Sequence, residues 1–206
     1  MRVRRLPGVE VTGQCYFLYA LFLLLVPLPW IVGWSFAAVI HECGHIIALI
    51  IFRTQIHKIK VGIFGAQINT EPISLLKEAV CAIMGPLFGL SVLLIVDFIP
   101  YIAFSALIQS LFNLIPVYPL DGGRVLRSLL LLGFSEQTTQ KILFYVAIST
   151  IVLFTIGGMW LSVTCSLGFI PVIFPMLPIM MTLMKNTLQT KKKNSTICKR
   201  IALRGN

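Results

Sequence analysis

Between Cys15 and Met184 the chain is a succession of long apolar runs with almost no charge inside them. Such a pattern can fold only where lipid is the solvent for much of the surface. The composition agrees: 57% of residues are hydrophobic, 12% are charged, and the mean hydropathy is +0.92. So few charges cannot cover a water-exposed surface. Polar residues are the scarce kind here, and each one inside an apolar run needs a physical reason.

The runs are about Cys15–Ile31, Gly33–Phe52, Leu75–Phe98, Tyr101–Leu120, Ile142–Val163 and Leu167–Met184. They predict an all-α polytopic membrane protein of about six transmembrane helices. Pro27, Pro29 and Trp30 mark the end of the first run, and Pro171, Pro175 and Pro178 break the last. The opening stretch MRVRRLPGVEVTGQ resembles the start of a signal peptide. The apolar run after it is too long, and no small-x-small cleavage site follows, so it reads as a first, uncleaved helix.

The charges supply a topology. The net charge is +10, from 17 Lys and Arg against 7 Asp and Glu. With the N-terminus in the cytoplasm, the inward pieces are 1–14, 53–74, 121–141 and 185–206. All 17 basic residues fall in them or, for Lys77, at the same face of the third run. The outer connections hold none. Six spans with both termini inside satisfy the positive-inside rule. The chain then divides into a cytoplasmic N-terminus (1–14), a membrane-embedded domain (15–184, with a core at 33–127) and a basic tail (185–206) that suits anionic headgroups. A nucleic-acid interface would need a basic face with aromatic platforms, which this distribution lacks. The five cysteines include no CxxC pair and form no secretory disulfide framework.

The piece 53–74 has a different texture. IHKIKVGIFGAQIN mixes β-branched residues with Gly62 and Gly65, which reads as a short hairpin or sheet inserted after the second run. Its edge would accept another extended chain. A plain connecting loop is the equal alternative.

HECGH, from His41 to His45, lies inside the second run. Residues four apart share a helix face, so both imidazoles can reach one zinc ion. Glu42 is offset by one position, where a general base for an attacking water belongs. The simpler alternative is a buried polar cluster that only packs helices together. Catalytic zinc needs a third protein ligand and keeps a fourth position for water. His57 stands beside Lys58 in the inserted piece, Glu78 lies near the start of the third run and Asp97 at its outer end. Asp121 is the best candidate. Pro116 and Pro119 would unwind the helix before it, and Gly122 and Gly123 let the backbone approach a neighbour. By itself LDGG also reads as a helix-terminating turn. Depth is compatible: His45 and His41 lie roughly 12 and 18 Å from Arg53 along a helix rising 1.5 Å per residue, in the cytoplasmic half of the bilayer.

These residues together resemble the site-2 protease family of intramembrane zinc metalloproteases (peptidase M50). HECGH is similar to its HExxH motif. NLIPVYPLDGG, Asn113 to Gly123, matches NxxPxxPxDG at every fixed position. MGPLFG, with Gly85 and Pro86, resembles the small-residue motif of the intervening helix. The layout is most similar to the branch that includes the bacterial protease for a membrane-tethered sigma-factor precursor in sporulation, with no evident PDZ or nucleotide-sensing CBS domain. The resemblance implies a Zn2+ held by His41, His45 and Asp121, with Glu42 as base. It further implies Asn113 at the substrate or the developing oxyanion, and Gly85, Pro86, Pro116, Pro119, Gly122 and Gly123 as structural positions. The expected activity is hydrolysis of a peptide bond in or near the transmembrane segment of a membrane-tethered protein, in regulated proteolysis at the cell membrane. The competing reading is a non-proteolytic membrane metal-binding protein or a metal transporter.

Overall fold

The computed structural model describes residues 8–11, 13–62 and 65–165. In order these form β1 (Gly8–Val11), α1 (Gly13–Leu25), α2 (Leu28–Ile51), β2 (Ile56–Gly62), β3 (Gly65–Thr70), α3 (Leu75–Ser91), a 3-10 turn (Val92–Ile95), α4 (Pro100–Asn113), α5 (Asp121–Gly133) and α6 (Glu136–Cys165). The chain falls into two compact units, Met1–Pro116 with Leu120–Thr139, and Val117–Pro119 with Gln140–Asn206. The last predicted run, Leu167–Met184, and the basic tail lie outside the described residues.

Among the described residues, three helical stretches are long and apolar enough to cross a membrane: Leu28–Ile51, Leu75–Ile95 and Glu136–Thr164. Apolar side chains point outward along them and around them, with Leu94 88% and Val163 82% exposed, as a lipid solvent requires. The helix α1 has 13 residues and α4 has 14. At 1.5 Å per residue they reach roughly 20 Å, short of the ~30 Å hydrocarbon layer. The first predicted run is also divided differently. Its break falls at Val26–Pro27, and Pro29, Trp30 and Ile31 belong to α2, because proline in the first helical turn loses no hydrogen bond.

Two further elements depart from the sequence expectation. The inserted piece is a sheet, but its third strand comes from the N-terminal segment. The order is β1-β2-β3, with β1 parallel and β3 antiparallel to β2. An ion pair between Glu10 and Lys58 joins β1 to β2. Residues 121–133, expected as part of a connection, form the amphipathic helix α5.

The helix α2 ends in a Schellman turn. Thr54 N–H donates to Leu49 O at 3.0 Å and Arg53 N–H to Ile50 O at 2.9 Å. Arg53 occupies the left-handed position usually given to glycine, at φ 55°. That turn sends the chain directly into the sheet, where Ile56 and Ile68 pack with Phe52, Ile73 and Met84 on the buried Ala48, Leu49 and Cys81.

The bundle α2–α3–α4 is drawn together by small residues. A Cβ on Gly44 would lie 2.5 Å from the Met84 carbonyl oxygen and 2.9 Å from Phe88 Cβ. One on Gly33 would lie 2.7 Å from the Tyr101 carbonyl oxygen. One on Gly89 would overlap Ser110 Oγ. Without a hydrophobic drive between helices in lipid, close backbone approach of this kind supplies the association energy. Gln109 adds a hydrogen bond from Nε2 to the Trp34 carbonyl, 2.8 Å, across α2 and α4. Gly44→Ala should lower stability by about 1–3 kcal/mol through overpacking. Gly157→Ala, with nothing within 4 Å of the added methyl, should not destabilise. Thermal unfolding in detergent micelles measures both.

Candidate metal centre

Three polar side chains converge inside the first unit. His41 and His45 project from one face of α2, and Asp121 is the first residue of α5. All three are buried, at 5%, 7% and 7% exposure, so they face one another rather than lipid or water. Asp121 arrives by a tight turn. The seven residues after α4 end where Gly122 lies against the Leu114 and Ile115 carbonyls, and a Cβ there would meet the Ile115 oxygen at 2.7 Å. Only glycine permits that approach. The carboxylate sits at a helix N-terminus, where backbone N–H groups favour negative charge.

Three atoms define the centre. His41 Nε2 is 3.0 Å from Asp121 Oδ2, His45 Nε2 is 3.2 Å from the same oxygen, and the two Nε2 atoms are 3.2 Å apart. Bonds of 2.0–2.1 Å to a tetrahedral zinc place ligands about 3.3 Å apart. The triangle is therefore close to one face of a zinc tetrahedron. The donor chemistry points the same way. His45 Nδ1–H donates to the Cys81 carbonyl at 2.7 Å, a bond that needs a donor at that nitrogen. Nε2 of the neutral ring then carries a lone pair, aimed at a carboxylate oxygen and at a second imidazole. Lone pairs that converge in a dry interior repel unless a cation lies among them. The residues present fit a zinc ion.

Neighbouring residues hold this geometry. Gly85 on α3 lies under the His45 ring, and any Cβ there would overlap the imidazole. The Cys81 carbonyl, one turn earlier on α3, fixes the ring's orientation. Asn113, the last residue of α4, brings Nδ2 to 3.4 Å from His41 Nε2. Arg124 Nη1 lies 3.5 Å from Asp121 Oδ1. Glu42 is half-buried, next along α2 from His41.

The sequence reading named His41, His45, Asp121 and Asn113, and the fold brings these four together. Pro116 and Pro119 lie between α4 and α5 rather than inside a helix. Pro86 is buried within α3, and Gly123 is buried in the first turn of α5. The sequence did not reveal the contacts of Cys81 and Arg124. Cys81 acts through its backbone, which no residue type announces. The signal for Arg124 was present, as an arginine three residues after the candidate ligand, but it read equally as a topology charge.

A buried His-His-Asp group within a bundle of apolar helices defines a class, that of membrane proteins with a candidate metal centre. Known proteins narrow it. The profile for Peptidase family M50 matches residues 91–154. A zinc metalloprotease of Methanocaldococcus jannaschii is 28% identical over 149 residues, which take in 66% of this chain and 41% of that protein. The chain thus spans about two-fifths of the length of that curated relative. The solved site-2 protease from Methanocaldococcus jannaschii superposes with a TM-score of 0.63 at 21% identity, covering 89% of this chain and 94% of that one. The chain thus carries an M50 match over residues 91–154 and has the fold of the solved site-2 protease.

Gly85→Ala should push the His45 ring off the centre. Zinc content of the purified protein, measured by atomic absorption, should fall from roughly one per chain to a small fraction of that. Asp121→Ala should do the same.

Proposed function

We propose that this chain is a zinc-dependent endopeptidase that hydrolyses a peptide bond in or beside the transmembrane segment of a membrane-tethered protein. The observation that carries this reading is the triangle of His41 Nε2, His45 Nε2 and Asp121 Oδ2, closed to within about 3.3 Å among apolar helices. The likeness to the M50 profile and to a zinc metalloprotease gives it chemical direction.

Each residue has a role in this reading. His41, His45 and Asp121 hold the metal. A zinc ion bound there would supply Lewis-acid chemistry for the scissile carbonyl and the attacking water. Glu42, about 100° round the helix from His41, takes the proton from that water and passes it to the leaving amine. Asn113 offers an amide N–H beside the centre to the oxyanion that develops on the carbonyl. The catalytic core is 33–127, within a membrane domain of 15–184.

A helical substrate must unwind first, because its peptide bonds are occupied in its own hydrogen bonds. The sheet supports a place for the unwound segment. β3 is an edge strand, and its outward N–H and C=O groups suit the addition of an extended chain. The substrate is then a membrane-tethered precursor processed in regulated proteolysis, as in the sigma-factor-processing branch that the layout resembles. Six spans, with both termini and the metal on the cytoplasmic side, follow from the charge distribution. A transporter would need donor groups along a path. Among the described residues there is one cluster of metal-binding side chains, which favours a fixed site.

The test is cleavage of a co-expressed, epitope-tagged membrane substrate. Glu42→Gln should lower the rate by about 10²–10⁴-fold while zinc content stays at the wild-type level. Equal cleavage by both proteins would remove Glu42 as base. Asn113→Ala should cost about 10²–10³-fold in kcat, since a lost oxyanion donor acts on the transition state.

A further inference from the structure

Arg124 stands one turn into α5, three residues after Asp121 and on the same face. The Asp121 carboxylate is divided between two neighbours. Oδ2 faces His41 and His45 at 3.0 and 3.2 Å, while Oδ1 faces Arg124 Nη1 at 3.5 Å. The Asp121 side chain is 9% exposed and that of Arg124 39%, so the guanidinium reaches inward from the rim. The other arginine of the helix, Arg127, turns to Glu136 at 3.2 Å. Membrane topology accounts for both arginines as cytoplasmic charges. It does not account for one of them lying on the candidate ligand.

A carboxylate can grip a divalent cation with one oxygen or with both. A catalytic zinc site must keep one position open for water, and a second carboxylate oxygen would fill it. We propose that Arg124 is a positioning residue whose guanidinium holds Asp121 Oδ1, so that Asp121 presents Oδ2 alone to the metal. The open position is thereby protected. This rests on the zinc-protease reading above. The guanidinium faces Oδ1 rather than the Oδ2 that the histidines share, and its charge would oppose the metal's. Removing it therefore costs no metal affinity, which separates this role from that of a residue that merely stabilises the centre.

The experiment loads the full chain, purified in detergent, with Co2+ in place of zinc. The visible absorption of Co2+ is strong at four-coordinate sites and weak at five-coordinate ones. Because Arg124 is part-exposed, its replacement leaves the packed bundle intact, and two neutral variants, Arg124→Gln and Arg124→Ala, guard against a single folding failure. Both should bind as much cobalt as wild type but absorb several-fold more weakly. Arg124→Lys should restore most of the intensity, and Arg127→Gln should match wild type. Neutral variants with the wild-type spectrum would overturn the proposal. So would an equal change in Arg127→Gln, which would make the effect one of general charge. If wild type takes up no cobalt that His41→Ala removes, the metal site itself fails, and the role of Arg124 fails with it.

Discussion

Lipid offers no hydrogen bonds, and that constraint governs the molecule. A polar side chain in the apolar bundle must find its partner inside the protein, and three find one another. His41, His45 and Asp121 come from helices far apart in sequence, yet their Nε2 and Oδ2 atoms lie 3.0–3.2 Å apart. The rest of the first unit serves that meeting. The glycines at 44 and 85 let α3 lie against α2 closely enough for the Cys81 carbonyl to hold the His45 ring. Gly122 lets α5 begin directly against the end of α4, which delivers Asp121 to the same point.

Burial also sets the chemistry. At an exposed site water would satisfy both imidazoles and the carboxylate, and nothing would require a cation. In the dry bundle the same groups present converging lone pairs, and a divalent cation with an open position resolves them. The proposed hydrolysis would need water in an apolar surrounding, so control of the open position would matter more than in a soluble enzyme. The division of the Asp121 carboxylate between the histidines and Arg124 bears directly on that control.

The sheet is packed to the same core that supports the centre. The Schellman turn at Arg53, eight residues after His45, leads α2 into β2, so the sheet and the histidines lie on one continuous stretch of chain. Ile56 and Ile68 pack onto the same buried cluster as Cys81, the residue whose carbonyl orients His45. Position along the sheet is thus tied to position at the centre through packed side chains.

Much of this was legible in the sequence, because the signals were local. Helical spacing puts His41 and His45 on one face, and apolar runs require lipid. The pairing of Asp121 with them needed a motif, since a residue eighty positions away carries no spacing rule. Other features were fixed only by the tertiary structure. The lengths of the helices α1 and α4 were not legible, because hydropathy does not register where backbone hydrogen bonding stops. β1 read only as part of a cytoplasmic N-terminus, because a four-residue strand has no periodicity until β2 is beside it. α5 read as a connection, because Asp121-Gly122-Gly123 signals a turn and its two arginines signal the cytoplasm. The sequence by itself determined the residue types able to bind zinc and the solvent around them. The tertiary structure decided which carbonyl orients His45, which oxygen of Asp121 faces the histidines and which arginine holds the other, because those depend on distances between elements that no local pattern encodes.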